Sequence, residues 1–260
     1  MTIVEHISRG APLIFIGAHP DDEVLVGPLL AFAAERSHAH VQCVTQGQSG
    51  WNLADTVCDR TLGQLRVGEL EQACRVLGAS CQCLGFISGT STAHASHAVA
   101  EDETAASARW KETGEFKQEP EGILQRWSAE DERFPDCLGD CVRRYPNCVC
   151  VTFEPERGFT WHPEHRAVGS AATRLLGPAG DGQRNCRLYW VLHPEQRQSS
   201  DEVVDVSLMI TDAKQNYAET VLGALSMHQT QFGKRHTEKS RTYMTGFKEV
   251  VERIILRPVT

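Results

Sequence analysis

The chain has 260 residues, 41% apolar and 23% charged, a balance that suits a globular protein with enough apolar side chains for a substantial core. Its formal net charge of −8 leaves no basic stripe to neutralise phosphates, which speaks against nucleic-acid binding. The start of the sequence lacks a positive segment followed by a continuous apolar stretch, and no apolar run reaches about 18 residues. These features predict a cytoplasmic protein with no membrane span.

Strand-like and helix-like segments alternate from the start. Leu13-Ile14-Phe15-Ile16 reads as a short buried strand, and the apolar spacing from Asp22 through Leu25, Leu29, Leu30 and Phe32 is helical. Val41 to Thr45 is a second strand, followed by the Gly-rich loop 46–50. Residues 59–78 carry Leu62, Leu65, Leu70, Ala73 and Leu77 at helical spacing, with Gly78 as a stop. Cys81 to Phe86 is a third strand. Residues 88–132, rich in Ser, Thr, Ala, Glu and Lys, break the rhythm and read as an insertion or lid, partly helical around Glu121 to Trp127. His94 and His97 within it read as exposed loop residues. A helix near Pro135 to Arg144, a strand from Cys148 to Phe153, and a helix from Glu164 to Leu176 restore the alternation. Leu188 to Leu192 and Val203 to Ile210 read as strands, Asp212 to Met227 as a helix, and the end as a mixed segment. This order predicts an α/β fold, a Rossmann-like three-layer α/β/α sandwich with a mostly parallel sheet, as one domain over residues 1–260.

The ten cysteines show no C-x-x-C knuckle. Cys81 and Cys83, and Cys148 and Cys150, are pairs two apart on strands, and Cys137 and Cys141 are four apart on a helix. Reduced, small buried hydrophobes are the preferred reading, with a disulfide or thiolate metal site as the alternative.

Two clusters carry chemistry. His19-Pro20-Asp21-Asp22-Glu23 stands where the first strand hands over to a helix, the end of a parallel sheet where ligands bind. His162-Pro163-Glu164-His165 stands in the same position after the fourth strand. Imidazole with carboxylate is the ligand mix of an open catalytic zinc site. Neighbouring aspartates on such a turn cannot both point one way, so one can ligate while the other reaches a water. His165 could complete a His-Asp-His triad, with His162 close to the ion but not on it. Taken singly, Asp22 could instead cap a helix, and Pro163-Glu164 could be an ordinary helix start. The occurrence of both clusters at strand ends favours the metal.

These residues resemble the LmbE-like, or PIG-L-like, zinc-dependent N-deacetylases. The matching segments are Gly17 to Glu23, Thr45-x-Gly47, Arg66-x-x-Glu69 and Gly158 to Arg166, with weaker matches at Lys214 and at His228-Gln229-Thr230-Gln231. The resemblance implies that His19, Asp22 and His165 bind Zn2+, although Fe2+ or Co2+ would suit the same donors. It implies Asp21 as general base, a cationic His162 as donor to the tetrahedral oxyanion, and Arg66 as a contact to substrate or acetate. The alternative for Arg66 is an ion pair with Glu69. The implied substrate is a small N-acylated amino sugar or glycoconjugate. A hydratase of an unsaturated carboxylic acid on the same scaffold, and a non-catalytic zinc- or sugar-binding protein, are the competing readings.

Two departures from the family pattern stand out. Glu164 replaces the usual aspartate that orients the histidine at the His162 position, and Val24 to Pro28 replaces a Gly-rich run that shapes the pocket floor. Trp51, Trp110 and Trp127 are candidates for stacking on sugar rings, or ordinary packing residues. The sequence sets no oligomeric state and is compatible with a homo-oligomer.

Overall fold

The computed structural model describes residues 1–50, 52–54, 60–89, 118–134, 136–178, 186–209, 217–233 and 251–259. A short helix α1 (Ile3–Ser8) precedes β1 (Leu13–Gly17), and a 3-10 turn (Asp22–Val26) leads into α2 (Gly27–Arg36). Then come β2 (Ala39–Thr45), α3 (Leu62–Leu77), β3 (Ser80–Phe86), α4 (Pro120–Glu130), α5 (Asp136–Arg144), β4 (Val149–Phe153), α6 (Pro163–Leu176) and β5 (Arg187–Leu192). The remaining elements are β6 (Glu202–Asp205), α7 (Tyr217–Leu225), the short α8 (Gln229–Phe232) and β7 (Arg253–Pro258).

The seven strands form one sheet in the order β3-β2-β1-β4-β5-β7-β6. The first five are parallel, and β7 runs antiparallel to both β5 and β6. This is the mostly parallel, helix-flanked sheet the alternation predicts. β1 and β4 are buried at every position, as strands covered on both faces must be. Their register pairs Leu13 with Val149, Ile14 with Cys150 and Phe15 with Val151, so both chains leave the sheet at the same edge. Chain order reverses between these two strands: β2 and β3 lie on one side, β5 on the other. That reversal opens the crevice in which an open α/β sheet binds ligands.

Helices α2, α3 and α7 pack on one another, and α4, α5 and α6 form a second group. Local sequence explains their ends. Thr61 and Gln64 form a reciprocal capping box at the start of α3, which stops at Gly78 in a left-handed conformation, φ 72°. Thr2 and Glu5 form the same box on α1, a helix the apolar spacing did not announce.

Three segments differ from expectation. The helix foreseen from Asp22 opens as a 3-10 turn, whose Val24, Leu25 and Val26 are buried in the core. The strand foreseen over 203–210 ends at Asp205, whose side chain accepts the Ser207 N–H at 3.0 Å and turns the chain into a 3-10 helix. Residues 120–130 of the foreseen insertion form α4, which packs on α6 and buries Ile123 and Trp127 in the core. The Trp127 indole N–H donates to the Ile87 carbonyl at 2.9 Å, which makes it a packing residue. His94, His97, Trp51, Trp110 and Lys214 lie outside the described residues. The nine described cysteines are free thiols, four of them only partly buried.

Candidate active site

The loop leaving β1 turns sharply. Asp22 folds its carboxylate back so that Oδ2 accepts from the Ala18 and His19 amides, each at 2.8 Å. It therefore does not cap the helix that follows. Asp21 adopts a left-handed backbone, φ 113°, and its N–H donates to Glu23 Oε2 at 3.0 Å. The two aspartates diverge as the turn requires: Asp22 points at the histidines, and Asp21 points towards Arg66, 3.5 Å away.

The second cluster is built on the start of α6. His162 is its N-cap, with Nδ1 accepting the Glu164 N–H at 3.3 Å, and Pro163 fills the first turn, where its missing N–H costs nothing. Accepting at Nδ1 leaves the proton of a neutral ring on Nε2. Gly158, φ 60°, lets the preceding loop approach: a Cβ there would stand 2.9 Å from His165 Cβ. The His165 ring lies flat on Phe153, centroids 4.1 Å apart with 4° between planes, while Thr160 Oγ1 stands 3.3 Å from Nδ1.

The two clusters meet. His19 Nδ1 is 3.3 Å from His165 Nε2, Asp22 Oδ1 is 3.1 Å from His165 Nε2, and Asp22 Oδ2 is 3.7 Å from His19 Nδ1. Donors about 2.0–2.1 Å from one tetrahedral ion stand about 3.4 Å apart, so these edges fit a shared divalent cation. Ring chemistry agrees. His19 Nε2 faces Glu164 Oε2 at 2.6 Å and His165 Nδ1 faces the Thr160 hydroxyl, so each ring can donate outward and present a lone pair inward. One ring nitrogen from each of His19, His162 and His165 lies within 4.8 Å of the others. His162 sits edge-on to His19, centroids 4.6 Å apart.

Electrostatics point the same way. Burial disfavours a charged His19, but the Asp22 and Glu164 carboxylates outweigh it and push its pKa up to about 10. Burial also works against ionised Asp22, yet His165 and His19 hold it well below the usual carboxylate range. A cluster that attracts a proton this strongly is one where a cation can replace that proton. Burial raises Asp21 to about 6, with Arg66 opposing and the neighbouring Asp22 charge adding to the rise. Burial, with His19 and His165 beside it, pushes His162 well below the usual histidine range. These surroundings favour the neutral ring, whose donation is that of an N–H.

Several braces escaped the sequence reading. Glu164 does not orient His162 through its carboxylate: its longer arm carries Oε2 past that ring to His19. Arg66, 3% exposed, donates to the Gly47 carbonyl at 2.7 Å and to Gln231 Oε1 at 2.5 Å, in addition to facing Asp21. It does not pair with Glu69, which accepts from the Thr230 amide and hydroxyl at 2.9 and 2.5 Å. Glu23 Oε1 meets His228 Nε2 at 2.6 Å in a fully buried pair. The signal for these was the His228 to Gln231 segment, whose targets lie about 160 to 205 positions earlier in the chain. Trp161, beside His162, stands 62% exposed with φ 62° and its ring 5.1 Å from the Arg157 guanidinium carbon.

Residues 14–176 match the PIG-L family, described as GlcNAc-PI de-N-acetylase. The chain belongs to this family. A curated relative is the 1D-myo-inositol 2-acetamido-2-deoxy-alpha-D-glucopyranoside deacetylase of Thermomonospora curvata, 30% identical over 180 residues, covering 65% of this chain and 53% of the relative. The chain thus spans about half the length of the curated relatives it matches. Among solved structures, the N,N'-diacetylchitobiose deacetylase of Pyrococcus horikoshii superposes with a TM-score of 0.60 at 16% identity, covering 99% of this chain and 88% of that one. The 4-carboxy-2-hydroxymuconate hydratase of Pseudomonas putida does so with a TM-score of 0.52 at 16% identity, covering 96% of each. Both share the fold. Among the described residues no helix is long and apolar enough to cross a membrane.

Proposed function

We propose that the chain is a zinc-dependent hydrolase that removes an N-acetyl group from an amino sugar or glycoconjugate. The observation that carries this reading is the convergence of His19 Nδ1, His165 Nε2 and the Asp22 carboxylate at the spacing of one ion's donors, with Asp21 beside them and turned towards Arg66. His19, Asp22 and His165 would hold the ion. When bound, the ion supplies Lewis acidity and lowers the pKa of a water.

The chain's own groups do the rest. Asp21, raised to about 6, is ionised at neutral pH yet basic enough to take a proton from the attacking water, and it returns that proton to the departing amine. His162, with its proton on Nε2, faces the acyl oxygen as negative charge develops there. Arg66 fixes Asp21 against the loop instead of reaching out to substrate, because it is buried and bonded to Gly47 and Gln231. Trp161 offers an exposed ring next to His162, a surface on which the apolar face of a sugar can stack.

The family relatives named as N-acetyl-glucosaminide deacetylases support this choice of substrate class. The test is acetate release from a panel of N-acetylglucosaminides by protein stripped of metal and reloaded with zinc. Activity lost on chelation and restored by zinc is the expected result. Hydration of an unsaturated carboxylic acid with no acetate from any acetamide would replace this reading with the hydratase one. Tight zinc binding with neither reaction would leave a binding protein.

A further inference from the structure

Glu164 is buried, and both of its carboxylate oxygens are engaged. Oε2 faces His19 Nε2 at 2.6 Å. Oε1 accepts from the Gly89 amide at 2.9 Å and from Arg126 Nη2 at 3.3 Å. Arg126, on α4, is itself fixed by Gln118 Oε1 at 2.8 Å. The carboxylate thus joins four segments: it rises from the first turn of α6, ends on the loop after β1, and is pinned from behind by α4 and the exit of β3. An aspartate at this position would fall short of His19 by roughly the length of one methylene.

We propose that Glu164 is a positioning residue for the metal ligand His19, and that Arg126 with the Gly89 amide holds it in place. This rests on the metal site proposed above. A carboxylate on the outer nitrogen fixes which nitrogen carries the proton, sets the ring plane, and makes the inner nitrogen a stronger donor. The two ligating histidines are therefore unequal. His19 is backed by a charged group in a short contact, whereas His165 is backed by the Thr160 hydroxyl at 3.3 Å. The stronger half of the site depends on Arg126, whose guanidinium holds the Glu164 carboxylate from behind in a charge-assisted contact at 3.3 Å.

The test is zinc affinity of metal-free protein, measured by competition with a chromophoric chelator, together with the visible spectrum of the Co2+ form. Glu164→Gln should weaken zinc about ten- to hundredfold and shift the Co2+ bands, while the metal-free protein melts as wild type. Thr160→Val should weaken it less. Zinc affinity in Glu164→Gln within twofold of wild type overturns the proposal. Where Glu164→Gln lowers the melting temperature of the metal-free protein, Arg126→Met carries the test, since that side chain is partly exposed. A loss of about threefold in zinc affinity is expected there, and unchanged affinity overturns the proposal. His19→Ala separates the two readings. If it binds zinc as wild type does, the metal site itself is wrong; if it loses zinc while Glu164→Gln does not, only the role of Glu164 falls.

Discussion

After β1 the backbone places its strain on the residue proposed as the base: Asp21 stands at φ 113°, a conformation costing about 1–3 kcal/mol for a residue with a side chain. Before α6 the strain falls elsewhere. Trp161 takes the left-handed position, φ 62°, and His162 and His165 follow in an N-cap and a regular helical turn. The first loop is held by its own Glu23 at the Asp21 amide and from outside by Arg66 at the Asp21 carboxylate and His228 behind Glu23. The second draws on the helix itself. The proposed ligands are thus spread over a loop braced from afar and one set on a helix start, and the proposed base sits on the former.

The largest effect expected from this contrast separates holding the ion from using it. His165→Ala removes a donor and should abolish both zinc binding and acetate release. Asp21→Asn keeps the shape and tolerates the left-handed backbone, so it should lower kcat by about 10²–10⁴ with zinc content unchanged, measured by metal analysis beside steady-state kinetics. Loss of zinc in Asp21→Asn would show that this side chain ligates and that the two loops share their roles differently.

Next comes the brace. Glu23→Ala leaves His228 buried beside no partner at Nε2, and removing one member of such a pair costs about 3–5 kcal/mol. Urea unfolding should show that loss. A change below about 1 kcal/mol would mean that the first loop supports itself as well as the second does.

This division explains which parts could be read from the chain. His19, Asp21, Asp22, His162 and His165 announced themselves because each loop gathers its chemistry within five residues and follows a recognisable buried strand. The divergence of Asp21 and Asp22 was also legible, since adjacent side chains on a turn cannot point the same way. The braces were not. That Arg66 takes Gln231 instead of Glu69, or that Glu164 reaches His19 across 145 residues, depends on how separate elements converge. The antiparallel β7 was hidden for a related reason: its place between β5 and β6 is a pairing choice, and the run Ile254-Ile255-Leu256 fits either direction. The α1 capping box was present as Thr2-x-x-Glu5 but lies ahead of a helix too short for apolar periodicity to reveal.

Arg66 gives a smaller effect with a definite sign. Asp21 must be ionised to accept a proton, so kcat/KM should fall about tenfold per unit as pH drops below its pKa, which lies at about 6 without an ion and lower beside one. Arg66 favours the ionised form. In Arg66→Met the acidic limb should therefore move to higher pH, by about one unit, equal to about 1.4 kcal/mol, while Arg66→Lys keeps most of the charge and should move it less. An unmoved limb would assign Arg66 to loop packing alone.

The smallest effect comes from a matched pair of prolines. Pro20 and Pro163 each follow a histidine of the cluster and each pre-set one φ. Replacing either with alanine should cost about 0.4–1 kcal/mol, chiefly by loosening the unfolded chain. Activity should separate them. Pro163→Ala adds an N–H in the first turn of α6, where such groups have no partner within the helix anyway, so His162 and His165 keep their places and kcat holds. Pro20→Ala frees the backbone between His19 and the strained Asp21, so the base samples more positions and kcat falls several-fold at equal zinc content. Equal kcat in the two variants would show that Arg66 and Glu23 alone fix Asp21, and that the proline contributes only to stability.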